Sequence, residues 1–308
     1  MRLIRHPNPG LAGRPATALT IGNFDGLHRG HQALVRAVCV HADELTPAVM
    51  CFEPLPATFF RPQQPVRRLL SVRDKLTLFR GYGLDLVLML RFNALFARQS
   101  PESFVEQMVV GAAGARHVVV GDDFRFGARA AGDADLLADL GNKHGFSVQV
   151  MPAITDEGQR VSSSLLREAM AGGDLARVRH LLGRAYAISG RVLRGRRLGH
   201  ELGYPTVNLR PPDPPALTGI FAVRVSGNGL DRHPGVASLG IRPTVAGTDW
   251  LLEVHLFDYD GNLYGRHLSV EFIEYLRPEE KFATIELMKL QMKRDADQAR
   301  SVLGQPSP

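Results

Sequence analysis

Two histidines three residues apart, His28 and His31, with Gly30 between them, are the residues best placed to do chemistry in this 308-residue chain. They follow a short apolar run, Leu19 to Ile21, and a turn made of Gly22, Asn23, Phe24, Asp25 and Gly26. This pattern predicts a buried strand, a tight turn and a helix that opens near His28. A strand feeding a helix N-terminus is a ready anion site, because the first N–H groups and the helix dipole face the incoming charge. Gly22 and Gly26 let backbone approach a ligand closely. Residues three apart share one face of a helix, so both imidazoles could grip phosphate oxygens. A helix cap and a metal pair are the competing readings. No cysteine or carboxylate follows at ligand spacing, which disfavours the metal. The phosphate loop G-x-x-x-x-G-K-[ST] does not occur in the chain.

The elements that must hold this turn can be read along the first half. Apolar strands are predicted at Ala48 to Phe52, Leu84 to Leu90, His117 to Val120 and Phe146 to Met151. Helices fall between them. Ser71 with Asp74 reads as a capping box for one that ends near Arg80, and Ser100-Pro101 opens another. Alternating strands and helices predict βαβ units and a doubly wound parallel sheet, in which ligands sit beyond the carboxyl ends of the strands. The His28 turn, Glu53 and the stretch Gly121 to Gly127 all fall at such ends. Val161 to Asp174 reads as a polar, serine-rich loop entering a helix.

After about residue 184 the strand signals crowd together: Tyr186 to Leu193, Gly219 to Val225, Gly235 to Leu239, Trp250 to Phe257 and Leu268 to Tyr275. With Asp260-Gly261-Asn262 read as a hairpin turn, they predict a small antiparallel barrel. Alternation from Leu252 to Phe257 puts Glu253 and His255 on the face opposite Leu252, Val254 and Leu256. Phe282, Ile285, Met288 and Met292 recur at helical spacing and predict a C-terminal helix packed on the barrel by that stripe. Two domains are therefore expected, residues 1–183 and 184–308.

Composition limits the function classes. With 44% hydrophobic and 22% charged residues, the chain reads as an ordinary soluble globular protein, and no apolar run approaches a membrane span. No signal-peptide layout opens it, and Cys39 and Cys51 are unpatterned, which points to a reducing cytoplasm. The net charge of +6 is scattered, which favours a basic surface attracting polyphosphate substrates over nucleic-acid binding.

Several ordered motifs carry a resemblance that covers residues 17 to 300: GNFDGLHRGH (22–31), FEPLPATFF (52–60), VGDDFRFGARAAGD (120–133), VSSSLLR (161–167), GRRLGHELGYPTVNL (195–209), GIFAVRV (219–225), GVASLGIRPTV (235–245), LEVHLFDYDGNLYG (252–265) and LRPEEKF (276–282). The chain resembles the bifunctional bacterial riboflavin kinase/FMN adenylyltransferases, or FAD synthetases. The resemblance implies a nucleotidyltransferase-type α/β domain joined to a flavokinase barrel. It further implies formation of FMN from riboflavin and ATP, then of FAD from FMN and a second ATP, with Mg2+ in both steps. Under it, His28 and His31 bind the ATP phosphates, with Asn23 and Asp25 in the turn beneath them. Ser164 and Arg167 belong to the serine-threonine-arginine element, with Arg167 on the β- and γ-phosphates. Asp123, Phe124 and Phe126 contact FMN or adenine. In the kinase half, Gly195, Gly199 and Gly203 belong to a loop closing over phosphates. Pro205, Thr206 and Asn208 match P-T-x-N, with Thr206 and Asn208 as magnesium ligands. Glu253 is the general base for the ribityl hydroxyl, and Arg277 contacts flavin or phosphate. The chain departs from the family at Leu55, where a histidine is common, at Ser164 for threonine, at Asp123, where many relatives have asparagine, and at Ser238 and Ile241 for asparagine and threonine. Retention of one activity only, or a flavin- or RNA-binding regulator derived from the enzyme, are the alternative functions. Homo-oligomer formation is left open.

Overall fold

The computed structural model describes residues 1–5, 7, 15–193, 206–244 and 247–305. The chain forms two compact units, Met1–Val66 with Lys75–Ser162, and Arg67–Asp74 with Ser163–Pro308. The segments 67–74 and 163–183 thus pack with the second unit, whereas the sequence reading places them in the first domain.

The first unit is built on six parallel strands, β1 (Arg2–Ile4), β2 (Thr17–Ile21), β3 (Thr46–Glu53), β4 (Leu86–Arg91), β5 (Ala115–Gly121) and β6 (Ser147–Met151), in the order β1-β4-β3-β2-β5-β6. Every residue of β2 is buried, and so are five of the six in β4. That burial on both faces is what a sheet flanked by helices requires. The intervening helices are α1 (Arg29–Cys39), α2 (Pro56–Phe60), α3 (Val72–Gly81), α4 (Ala94–Ala97), α5 (Pro101–Phe104, continuing as a π-helix over Val105–Ala112) and α6 (Ala134–His144). Chain order reverses at β2, whose neighbours are β3 and β5. The crevice beyond the carboxyl ends of β2 and β5 is therefore the topological switch point, where such sheets bind ligands. A two-strand hairpin, β7 (Thr155–Asp156) with β8 (Gln159–Arg160), follows.

The second unit holds α7 (Ser163–Ala171), α8 (Leu175–Leu182) and a six-stranded antiparallel half-barrel. Its strands are β9 (Tyr186–Arg191), β10 (Thr206–Leu209), β11 (Gly219–Gly227), β12 (Leu230–Thr244), β13 (Gly247–Leu256) and β14 (His267–Arg277), in the order β10-β13-β12-β11-β14-β9. The edges meet where the Leu193 N–H donates to the Asn208 carbonyl at 2.8 Å. Helix α9 (Ile285–Val302) closes the chain, capped by the Thr284 hydroxyl.

Two expectations are corrected. Asp260-Gly261-Asn262 does not form a hairpin turn: it lies in the loop between β13 and β14, which β12 and β11 separate in the sheet. And α9 does not pack through Phe282, Ile285, Met288 and Met292. Ile285 is 58% exposed, Phe282 precedes the helix, and the face against the barrel is Ala296, Ala299 and Leu303 with Ala222 and Phe257. Small residues in the second half of α9 let its backbone approach the sheet, whereas Ile285, Leu287 and Leu290 of the first half are exposed and Met288 and Met292 are half-buried.

Candidate active sites

The first site grows out of β2. As the strand ends, the Gly22 N–H donates to the Met50 carbonyl on β3 (3.1 Å), which keeps the turn joined to the sheet. The turn then passes through left-handed backbone at Phe24 (φ 50°), Gly26 (φ 85°) and Leu27 (φ 44°). Only Gly26 is suited to that region, yet Phe24 and Leu27 are wholly buried, so packing holds them there. His28 is the N-cap of α1, and its Nδ1 accepts the His31 N–H at 3.3 Å. The cap reading is realised, and the two imidazoles lie side by side. The cap bond turns the His28 ring onto His31, centroid to centroid 3.7 Å and nearly parallel at 22°. A Cβ on Gly30 would stand 3.2 Å from the His28 ring, so glycine leaves the room for this stack. Val161, just before the serine run, brings its carbonyl against the same glycine.

The His31 Nδ1 is buried and has no hydrogen-bond partner. Burial first, then the neighbouring His28 and then the Lys75 ammonium push the His31 pKa well below the ordinary imidazole value. His31 therefore stands neutral at pH 7. Asn23 is exposed and Asp25 is buried in the turn. Phe24 is a floor and not a contact surface: it is wholly buried, with its ring 5.1 Å from His31 and 5.6 Å, edge-on, from Phe79. Lys75, which sequence reasoning missed, lies beneath the turn and donates from Nζ to the Asn23 carbonyl at 2.8 Å.

At the end of β5, Asp123 is exposed and pairs with Arg160 at 2.9 Å, and Asp122 pairs with the same guanidinium. Phe124 and Phe126 stack at 5.4 Å and 18°. From Phe126 ring contacts run on through Phe104, Phe96 and Phe52 to Phe92, Phe59 and Phe60, the last 63% exposed. Three of these rings stand in the FEPLPATFF motif, which was the available signal. Leu55 in that motif is buried at the start of α2. Ser164 and Arg167 lie on α7 in the second unit. Ser164 is exposed, and the Arg167 Nε donates to the Arg67 carbonyl at 2.8 Å.

The second site is written in strand register. Thr206 and Asn208 on β10 face His255 and Glu253 on β13, and Ser238 on β12 lies beside Glu253. Directly opposed residues share a face, so these five side chains form one polar patch, while Leu252, Val254 and Leu256 are buried on the other face. The Asn208 Oδ1 is buried without a partner. Glu253 is ion-paired with Arg242. The Ser238 hydroxyl donates to Glu279 at 2.8 Å, and the Glu279 carboxylate fills the space beside Gly240 that a Cβ would need. Arg277 is held by protein: Nε and Nη2 donate to both oxygens of the buried Asp295 at 2.8 and 2.7 Å, and Nη1 donates to the Pro278 carbonyl. Gly195, Gly199, Gly203 and Pro205 lie outside the described residues.

An orphaned buried amide oxygen, with a threonine two residues away on the same face, is a donor set that fits a hard cation such as Mg2+.

Comparison with known proteins finds two family matches along the chain. The family model described as FAD synthetase matches residues 12–165, and that described as riboflavin kinase matches residues 182–303. The chain is 41% identical over 313 aligned positions to the bifunctional riboflavin kinase/FMN adenylyltransferase of Escherichia coli strain K12, covering 100% of both. It is 43% identical to that of Pseudomonas fluorescens, over 94% of this chain and 93% of the relative. A solved structure titled a macrolide-efflux protein from Streptococcus pneumoniae superposes with a TM-score of 0.83 at 26% identity, covering 97% of this chain and 98% of the other. Among the described residues of this chain, no helix is long and apolar enough to cross a membrane.

Proposed function

The chain belongs to the bifunctional riboflavin kinase/FMN adenylyltransferase family, with both activities, and we propose that the His28–His31 turn serves adenylyl transfer and the Glu253 patch serves the kinase step. We assign residues 1–183 to the first activity and 184–308 to the second, and read the enzyme as cytoplasmic.

In the kinase reaction the ribityl 5′-hydroxyl of riboflavin attacks the γ-phosphorus of ATP, and ADP leaves. Glu253 accepts the hydroxyl proton. In the substrate-free chain Glu253 is ion-paired with Arg242. Thr206 and Asn208 would hold Mg2+. A magnesium ion there supplies charge neutralisation on the nucleotide phosphates.

In the second reaction a phosphate oxygen of FMN attacks the α-phosphorus of another ATP. A phosphoanhydride forms as the bond to pyrophosphate breaks. No protein nucleophile is needed, so the protein positions the reactants and stabilises charge. His28 and His31 meet the phosphate oxygens, and Phe124 and Phe126 offer a face to an aromatic ring. The observation that carries this reading is the stacked imidazole pair at a helix start on the switch point of a parallel sheet.

The test is a time course of riboflavin, FMN and FAD, separated by chromatography, from riboflavin with excess ATP and magnesium. FMN should rise and then give way to FAD. FMN that accumulates without FAD would remove the first assignment, and no product from riboflavin but FAD from added FMN would remove the second.

A further inference from the structure

No cationic side chain among the described residues is less exposed than Lys75, at 0%. Taking an ammonium out of water is costly, so a buried one calls for a reason. Here the reason is local. Its Nζ donates to the Asn23 carbonyl at 2.8 Å, and the next residue, Phe24, begins the left-handed stretch that continues at Leu27. Side chains rarely adopt that backbone, and such a turn persists only where its surroundings over-determine it. Two residues of α3, one helical turn apart, do so. Lys75 takes hold of Asn23, and Phe79 packs edge-on against Phe24 at 5.6 Å. Phe24 in turn lies 5.1 Å from the His31 ring. The chain of contact runs from α3 through the turn to the imidazole pair.

We propose that Lys75 is a positioning residue for adenylyl transfer, its ammonium fixing Asn23 and so the strained turn that presents His28 and His31. The proposal rests on the reading of that pair as the adenylyl-transfer site. The titratable and charged groups that act on His31 are His28 at the start of α1 and Lys75 from α3, and Asp25 is buried elsewhere in the turn. Lys75 helps to depress the His31 pKa, which gives the proposal a readout apart from turnover.

The experiment compares Lys75→Met, Lys75→Arg and His31→Ala in the full chain, feeding FMN and ATP for one step and riboflavin for the other. For Lys75→Met the expected result is a folded protein with normal FMN formation. Its kcat for FAD formation should fall by about 10²-fold, the order a displaced catalytic group produces, with less change in KM for ATP. The His31 imidazole, followed by NMR, should titrate at higher pH than in the parent, and Lys75→Arg should recover part of both. A folded Lys75→Met enzyme that makes FAD within about threefold of the parent overturns the proposal. So does loss of the first unit's fold in both lysine variants, which would leave Lys75 a packing role only. His31→Ala separates the two claims: if it keeps FAD formation, the site assignment itself is wrong, whatever Lys75 does.

Discussion

In the first unit the side chains proposed to act sit on a turn, and in the second they sit on strands. The His28–His31 pair depends on backbone that no ladder holds. Phe24 and Leu27 occupy left-handed conformations at a cost of roughly 1–3 kcal/mol each, and burial, the His28 cap bond and Lys75 keep them there. The Glu253 patch needs no such strain, because register alone sets Asn208, Glu253 and Ser238 side by side. What the second site does carry is charge already spoken for: Arg242 on Glu253, Glu279 on Ser238 and Asp295 on Arg277. The turn site is poised by geometry and the strand site by ion pairs, so the two should fail differently.

The largest effect is expected at Glu253. Glu253→Gln keeps the shape and removes the base, so FMN formation should fall by about 10²–10⁴, while ATP binding and FAD formation from added FMN persist. Normal turnover would take Glu253 out of the mechanism. For His31→Ala the mirror result is expected. FAD formation should drop by about 10²–10³, and FMN formation should continue. If either variant lost both activities together, the comparison of two independent sites would break.

The contrast also bears on what could be read from sequence. The strand, turn and helix around His28 were legible because glycine, burial and capping all act within a few residues. The alternation that exposes Glu253 was legible for the same reason. Lys75 was not: in LTLFRG and its flanks it looks like any polar residue of an amphipathic helix, and only the fold shows that it is buried under Asn23. Strand β10 was hidden by its four-residue length, and its partner β13 lies far along the chain. The affinity of 67–74 for the second unit is likewise a long-range fact. Arg277 was expected to touch flavin or phosphate, and no local signal pointed to Asp295 eighteen residues on.

That ion pair sharpens the comparison from the stability side. Asp295 is buried and its bidentate bond ties the end of β14 to α9, whereas the Arg232–Glu271 pair lies at the surface. Removing one partner of a buried pair strands the other charge. Asp295→Ala should therefore lower the stability of the second unit by about 3 kcal/mol, against at most about 1 kcal/mol for Glu271→Ala. Thermal unfolding of both variants checks it. Equal shifts would mean that Arg277 is free to leave Asp295 at little cost and can serve a ligand.

The smallest expected effect belongs to the first unit and follows from its neutral imidazole. His31 in the folded chain holds its proton far less tightly than in the unfolded chain, where it titrates near 6.5, because burial, then His28, then Lys75 oppose the charge. Between the two pKa values the unfolded state binds more protons, so stability rises with pH in that window. The contribution is complete above about pH 6.5 and is lost as the pH falls toward the depressed folded value. One proton corresponds to about 1.4 kcal/mol per pH unit. Denaturant unfolding of the parent and of His31→Gln from pH 7 downward should show the parent losing stability with that extra slope, and the variant losing the slope. Parallel curves would mean that His31 takes up its proton in the folded chain as readily as in the unfolded one, and the turn would then be open to water in a way the strand site already is.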